Sequence, residues 1–170
     1  MIKTIFALSV AALSLSPASA QPADSTAAQA QAAAGPESVV RGLYSDSITG
    51  DELVMTRRLE TLFLLERDYL DASGHPFDRL DFDWIVNGQD ALITGLAIET
   101  VDVPMRDYGD AAVDQFDRKI VIAAFRNFDS PTEIRYYWIK ERSGWKLDDV
   151  TGGGEDGMTW TLSLLLAYGG

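Results

Sequence analysis

After Asp90 the sequence changes to a period of two, and that rhythm limits the fold more than any other feature of the chain. The run Lys119-Ile120-Val121-Ile122-Ala123-Ala124-Phe125 is rich in residues that favour a pleated strand. From Glu133 to Glu141, Ile134, Tyr136, Trp138 and Lys140 alternate with Arg135, Tyr137 and Ile139. Side chains on a strand point to opposite faces in turn, so each set occupies one face. Arg142-Ser143-Gly144 reads as a short hairpin turn, and the stretch Ser143-Gly144-Trp145-Lys146-Leu147-Asp148-Asp149-Val150 as the returning strand. An earlier strand is expected over Ala91–Val103, with Tyr108-Gly109-Asp110 and Asp129-Ser130-Pro131 as turns. Gly152-Gly153-Gly154 is expected to end the sheet as a flexible terminator. Strands joined by turns this tight must pair antiparallel.

Helices precede that sheet. Pro36 suits a first helical turn, and Val39, Val40, Leu43 and Tyr44 follow at helical spacing. Thr49-Gly50-Asp51-Glu52 matches a capping box and predicts a second helix running to about Leu70. Its buried stripe would be Met55, Leu59, Leu62, Phe63 and Tyr69, with Arg57, Arg58, Glu60, Glu66 and Arg67 on the wet side. A short helix over Trp160–Tyr168 would close the chain. Helices first and antiparallel strands afterwards give the α+β class. Because the strands carry large apolar residues on both faces, the N-terminal helices are expected to pack on a strongly curved, cone-like sheet, leaving a pocket between them.

The first residues set the expected compartment. Lys3, the short apolar stretch Thr4–Ser16, Pro17 and the Ala18-Ser19-Ala20 site read as a signal peptide over residues 1–20. The stretch is too short to span a bilayer. The protein is therefore expected in the periplasm or outside the cell after cleavage near Ala20. Residues 21–35 read as a disordered Ala/Gln-rich tether, and 36–170 as one domain. There is no cysteine, so neither disulfides nor thiolate metal sites are open to this chain. Cleavage removes Lys3 and no acid, taking the net charge from -12 to -13, with 13 basic residues against 26 acidic ones. Such a field repels phosphate backbones and anionic bilayers, which argues against nucleic acid as a partner. No membrane anchor is expected in the mature chain, and its partner would be a small ligand or a protein.

The candidate chemistry is sparse. Asp148 and Asp149 are neighbours on a strand, so alternation would send them to opposite faces and prevent a dyad. A single inward Asp149 would either accept backbone N–H groups or serve as an acid or base in a pocket. Asp81, Asp83, Asn87 and Asp90 fail the calcium-loop pattern because Ile85 stands at the third ligand position. Asp81 or Asp83 is expected to cap a turn, and Asn87-Gly88 to support a positive φ. Gln89 and Asp90 would tie the start of the first strand to the helices. His75 lies in a polar loop, and there is neither a P-loop nor a G-x-S-x-G elbow. Tyr136, Trp138 and Trp145 are either core or the lining of an aromatic pocket, and Arg135 either counters an inward carboxylate or faces water. The candidate binding set is Asp149, Gln89, Asp90, Tyr136, Trp138, Trp145 and Arg135, with no catalytic residue, metal or cofactor expected.

Val39-Val40-Arg41-Gly42-Leu43-Tyr44, Arg58-Leu59, Asn87-Gly88-Gln89-Asp90 and Gly144-Trp145-Lys146-Leu147-Asp148-Asp149-Val150 together carry a family resemblance. Over roughly residues 36–166 the chain resembles the bacterial exported family catalogued as domain of unknown function 3828, and more widely the nuclear transport factor 2-like, or cystatin-like, cone folds. The resemblance implies a cone-shaped α+β domain with a pocket, and a homodimer through the sheet is one arrangement it implies. It implies no activity. Two functional expectations follow: an exported binding or interaction module, or a cofactor-free isomerase, dehydratase or hydrolase using a pocket carboxylate beside a Tyr or Arg.

Overall fold

A computed structural model describes residues 31, 33–73, 80–103, 117–154, 157 and 159–169. The expected signal peptide, His75 and the Tyr108-Gly109-Asp110 turn lie outside the described residues. The protein is α+β. Helix α1 spans Pro36–Leu43, a 3₁₀ turn Gly50–Glu52 and helix α2 Arg57–Ser73. Strands β1 (Ile93–Val103), β2 (Arg118–Asn127), β3 (Ser130–Glu141), β4 (Gly144–Gly154) and β5 (Thr159–Thr161) precede helix α3, Leu162–Tyr168. The sheet has the order β1-β2-β3-β4-β5, and every neighbouring pair is antiparallel.

The alternation along β3 holds. Ile134, Tyr136 and Trp138 are buried and join Val121, Ala123 and Phe125 of β2 in one apolar cluster. Val39, Val40 and Leu43 of α1, Leu59 of α2, and Leu162 and Leu166 of α3 belong to the same cluster. At roughly 25 cal/mol per Å² of apolar surface removed from water, a core of this kind is the main stabilising term in a chain without cross-links. α1 is tied to β1 by Glu37, which accepts hydrogen bonds from Arg41 Nη2 at 2.8 Å and from the Thr100 hydroxyl at 2.9 Å. These bonds, Arg41 first, hold the Glu37 carboxyl below its ordinary pKa, so their support is lost as pH falls through that lowered value.

The structure departs locally from the sequence reading. The capping box at Thr49 forms, with Glu52 Oε2 accepting the Thr49 N–H at 2.8 Å, yet it starts only the 3₁₀ turn. Leu53–Thr56 then runs extended because Leu147 of β4 donates to Val54 O at 3.0 Å and accepts from Thr56 N at 2.8 Å. Sheet pairing outcompetes helix propagation there, so Met55 lies outside α2. Within α2, Leu59 is buried as expected, but Tyr69 is exposed and Glu66 buried, the reverse of the places expected for those two. The closing segment also divides: Thr159–Thr161 pairs with β4 before α3 begins at Leu162.

The β2–β3 turn is Phe128-Asp129, not Asp129-Ser130-Pro131. Asn127 pairs with Ser130, and the two residues between have φ of 47° and 68°. Two left-handed residues make a hairpin turn matched to strand twist, a role suited to Asn-Gly and costly for Phe and Asp. Replacing Phe128-Asp129 by Asn-Gly is expected to raise stability by about 1 kcal/mol, read as a higher urea midpoint at unchanged slope. An unchanged or lower midpoint would show that Phe128, 57% exposed, contributes packing that outweighs the strain.

Gly152-Gly153-Gly154 is strand, not terminator: these residues pair with Ile134, Glu133 and Thr132 of β3. The indole of Trp160 lies against Gly152, where a Cβ would come within 2.3 Å of Trp160 Cζ2.

Candidate functional site

The two aspartates of β4 do not alternate. Tyr137 pairs with Asp149 and Trp138 with Leu147, which leaves Asp148 as the extra residue of a β-bulge. Leu147 and Val150 consequently both face the core, and both are fully buried. The expected assignment of Asp148 and Asp149 to opposite faces is therefore corrected. Both approach one guanidinium: Arg58 Nε lies 3.5 Å from Asp148 Oδ1, and Arg58 Nη2 lies 3.3 Å from Asp149 Oδ2.

Each carboxylate serves the start of a helix. Thr56 precedes α2 and accepts the Leu59 N–H at 3.3 Å while its hydroxyl donates to Asp148 Oδ1 at 3.0 Å. Asp149 Oδ1 accepts the N–H groups of Val150 at 2.9 Å and Ser163 at 3.1 Å, and its Oδ2 accepts the Ser163 hydroxyl at 2.6 Å. Thr161, the residue before α3, makes no side-chain cap of its own, so Asp149 caps that helix from the neighbouring strand. Negative charge at two helix N-termini is favourable, and Arg58 offsets the repulsion between the two carboxylates. Both Asp149 oxygens are thereby occupied by structural donors, which is the first of the two roles its position allowed.

The other candidates do not gather around Asp149. Tyr136 is fully buried, and its hydroxyl lies 3.0 Å from that of Tyr44, which in turn donates to Ile85 O at 2.9 Å. Trp138 is buried, and among the described residues its indole N–H has no hydrogen-bond acceptor. Trp145 is half-buried, with the Lys119 and Lys140 ammonium groups 5.5 Å and 5.7 Å from its ring centroid. Arg135 is exposed and pairs with Glu133 at 2.7 Å. Gln89 donates to Asp81 O at 3.3 Å, and Asp90 offers its carbonyl to Asn127 at 3.1 Å. Asp83, not Asp81, caps the turn before Gln89, accepting the Ile85 N–H at 2.8 Å, and Asn87 has the expected positive φ, 55°.

Burial raises the phenol pKa of both Tyr44 and Tyr136. A raised folded-state value favours the protonated form, so the stability it confers is complete below about pH 10 and is lost as pH climbs above that. Absorbance at 295 nm is expected to show two phenols that ionise only when the fold opens in alkali. Ionisation of all six tyrosines in one reversible step, with near-ultraviolet dichroism still native, would contradict this.

Sequence reasoning missed Asn127. Its side chain accepts the Leu92 N–H at 2.8 Å and donates to Val86 O at 3.2 Å and Asp90 O at 3.1 Å, fixing the segment between α2 and β1. The signal was present: the period of Val121, Ala123 and Phe125 places Asn127 inward, and a buried amide must find partners.

A concavity among the described residues lies elsewhere. A groove of about 630 Å³ runs between the 3₁₀ turn, the extended Leu53–Met55 and α2. Leu53, Val54, Met55, Phe63, Leu64 and Trp84 supply apolar walls, and Asp51, Glu52, Glu60, Arg67 and Lys146 supply charge. It exists because Leu53–Thr56 leaves the helical path to pair with β4. None of the seven candidate binding residues lines it. Among the described residues no cluster of three or more His, Cys, Asp or Glu is arranged to hold a metal, and no helix is long and apolar enough to cross a membrane. No family model matches the chain, and neither does a curated protein or a solved structure.

Proposed function

We propose that this chain is an exported binding module of the cone type, and that its ligand lies in the groove between α2 and Leu53–Met55. The observation that carries the reading is the groove itself. Its volume of about 630 Å³ falls in the range of small-ligand sites, and its walls combine apolar side chains with a few charged groups. The carboxylate best placed by sequence for catalysis, Asp149, has both oxygens on structural donors and lies outside the groove, which favours binding over the isomerase, dehydratase or hydrolase alternative. Export rests on the Lys3-to-Ala20 pattern and the acidic balance of the chain. The cone arrangement is supported by the single apolar cluster that unites α1, α2 and α3 with β2, β3 and β4.

The test is a thermal-shift screen of the purified chain against small apolar and amphipathic metabolites, followed by calorimetry. A true ligand at about a hundred times its Kd adds roughly 2.7 kcal/mol to the unfolding free energy. Leu64, 42% exposed on the groove wall, changed to Arg should abolish that gain while leaving the ligand-free midpoint within a degree or two. Hits that bind the Leu64→Arg chain with undiminished affinity would place the ligand elsewhere.

A further inference from the structure

On the α2 wall of the groove two opposite charges stand without partners among the described residues. Glu60 and Arg67 are both on α2, seven positions apart, which is about 10 Å of helical rise and nearly two full turns. They therefore share a face. Among the described residues neither side chain makes a salt bridge or hydrogen bond, although both line the groove. Of the other groove charges, Lys146 pairs with Glu141 at 3.0 Å and Glu52 holds the Thr49 N–H at 2.8 Å, while Asp51, on the 3₁₀ turn and off the α2 face, has no partner among the described residues. Phe63 and Leu64 fill the helical surface between Glu60 and Arg67, and Leu53–Met55 forms the facing wall.

That wall is an extended edge. It bonds to β4 through Val54 O and Thr56 N, so the N–H and C=O of Met55 point away from β4. No partner is recorded for them among the described residues.

Resting on the groove reading above, the geometry points to a short extended peptide with free termini as the ligand, its amine at Glu60 and its carboxylate at Arg67. An extended chain advances about 3.3 Å per residue, so three or four residues bridge the separation of the two charges. Apolar side chains of such a peptide meet Phe63 and Leu64, and its backbone can pair with the Met55 edge, as in strand addition. A single amino acid is too short to reach both charges. A long peptide crossing the groove with its middle has no terminal charges to offer.

The experiment is calorimetry with the tetrapeptide Ala-Leu-Leu-Ala, its N-acetyl form, its C-terminal amide and free leucine. The free tetrapeptide is expected to bind, and blocking either terminus to weaken binding about tenfold, a charge-assisted hydrogen bond lost. Glu60→Gln should erase the effect of N-acetylation and leave that of amidation. Arg67→Gln should do the converse. Both positions are exposed, so the ligand-free midpoint should stay unchanged and serve as the folding control. Equal affinity for blocked and free peptides, equal affinity for leucine, or no peptide binding at all would overturn the peptide assignment. If apolar ligands still bind and Leu64→Arg still removes them, the groove reading survives that failure. If Leu64→Arg changes nothing, the groove reading falls as well.

Discussion

Gly152→Ala is expected to cost about 3 kcal/mol of unfolding free energy, close to the largest effect of adding one methyl group to a packed interior. The added Cβ would come within 2.3 Å of Trp160 Cζ2, 2.6 Å of Trp160 Cε2 and 2.8 Å of Ile134 Cδ1. The indole cannot simply step aside. Its N–H donates to Asn87 Oδ1 at 2.7 Å, and its ring meets Phe82 edge-on at 5.3 Å between centroids. Displacing it breaks a hydrogen bond to a residue already held at a φ of 55°. A chain carrying Gly152→Ala together with Trp160→Leu should be more stable than the two single losses predict, because the smaller side chain vacates the contested space. Urea unfolding of the four chains measures the coupling. Additive losses, or a Gly152→Ala chain with the parental midpoint, would show that the indole does not sit on Gly152.

Asp149→Ala is expected to cost about 3 kcal/mol as well, by a different route. The substitution leaves the Ser163 N–H and hydroxyl and the Val150 N–H without their acceptor, at a residue pair that is largely buried. Arg58→Ala should cost well under 1 kcal/mol, since the Arg58 side chain is about half exposed and its ion pairs are screened by water. The contrast separates two views of the paired aspartates. If the carboxylates mattered chiefly as partners of Arg58, both substitutions would cost the same. If Asp149 is the cap of α3, the aspartate dominates and Ser163→Ala shows a smaller loss in the same direction. Thermal unfolding of the three variants decides between them.

Much of the architecture was written in simple periodicities. The period of two over Ile134, Tyr136 and Trp138 assigns β3 its buried face, and Arg142-Ser143-Gly144 places the β3–β4 turn. Pro36 marks the start of α1. The groove was harder to read. Thr49 to Glu52 carries the local signature of a helix start, and the signature is obeyed for a single 3₁₀ turn. What stops the helix is Leu147, ninety-odd positions later, which offers Leu53–Thr56 a better set of backbone partners. No window of sequence contains both halves of that competition. Glu60 and Arg67, seven apart, looked like ordinary wet-side charges for the same reason, because the wall facing them comes from the segment that left the helix.

Composition and local pattern thus dictate the α+β class, the antiparallel order of the strands, and a core that must hold together without a single cysteine. These properties follow from neighbours in the chain and from the cost of leaving apolar surface in water, so they are legible residue by residue. The bulge at Asp148, the seating of Trp160 on Gly152 and the groove beside α2 arise only when distant segments meet. Each is settled by hydrogen bonds and steric contacts between residues far apart in sequence, whose outcome depends on which pairing wins in three dimensions.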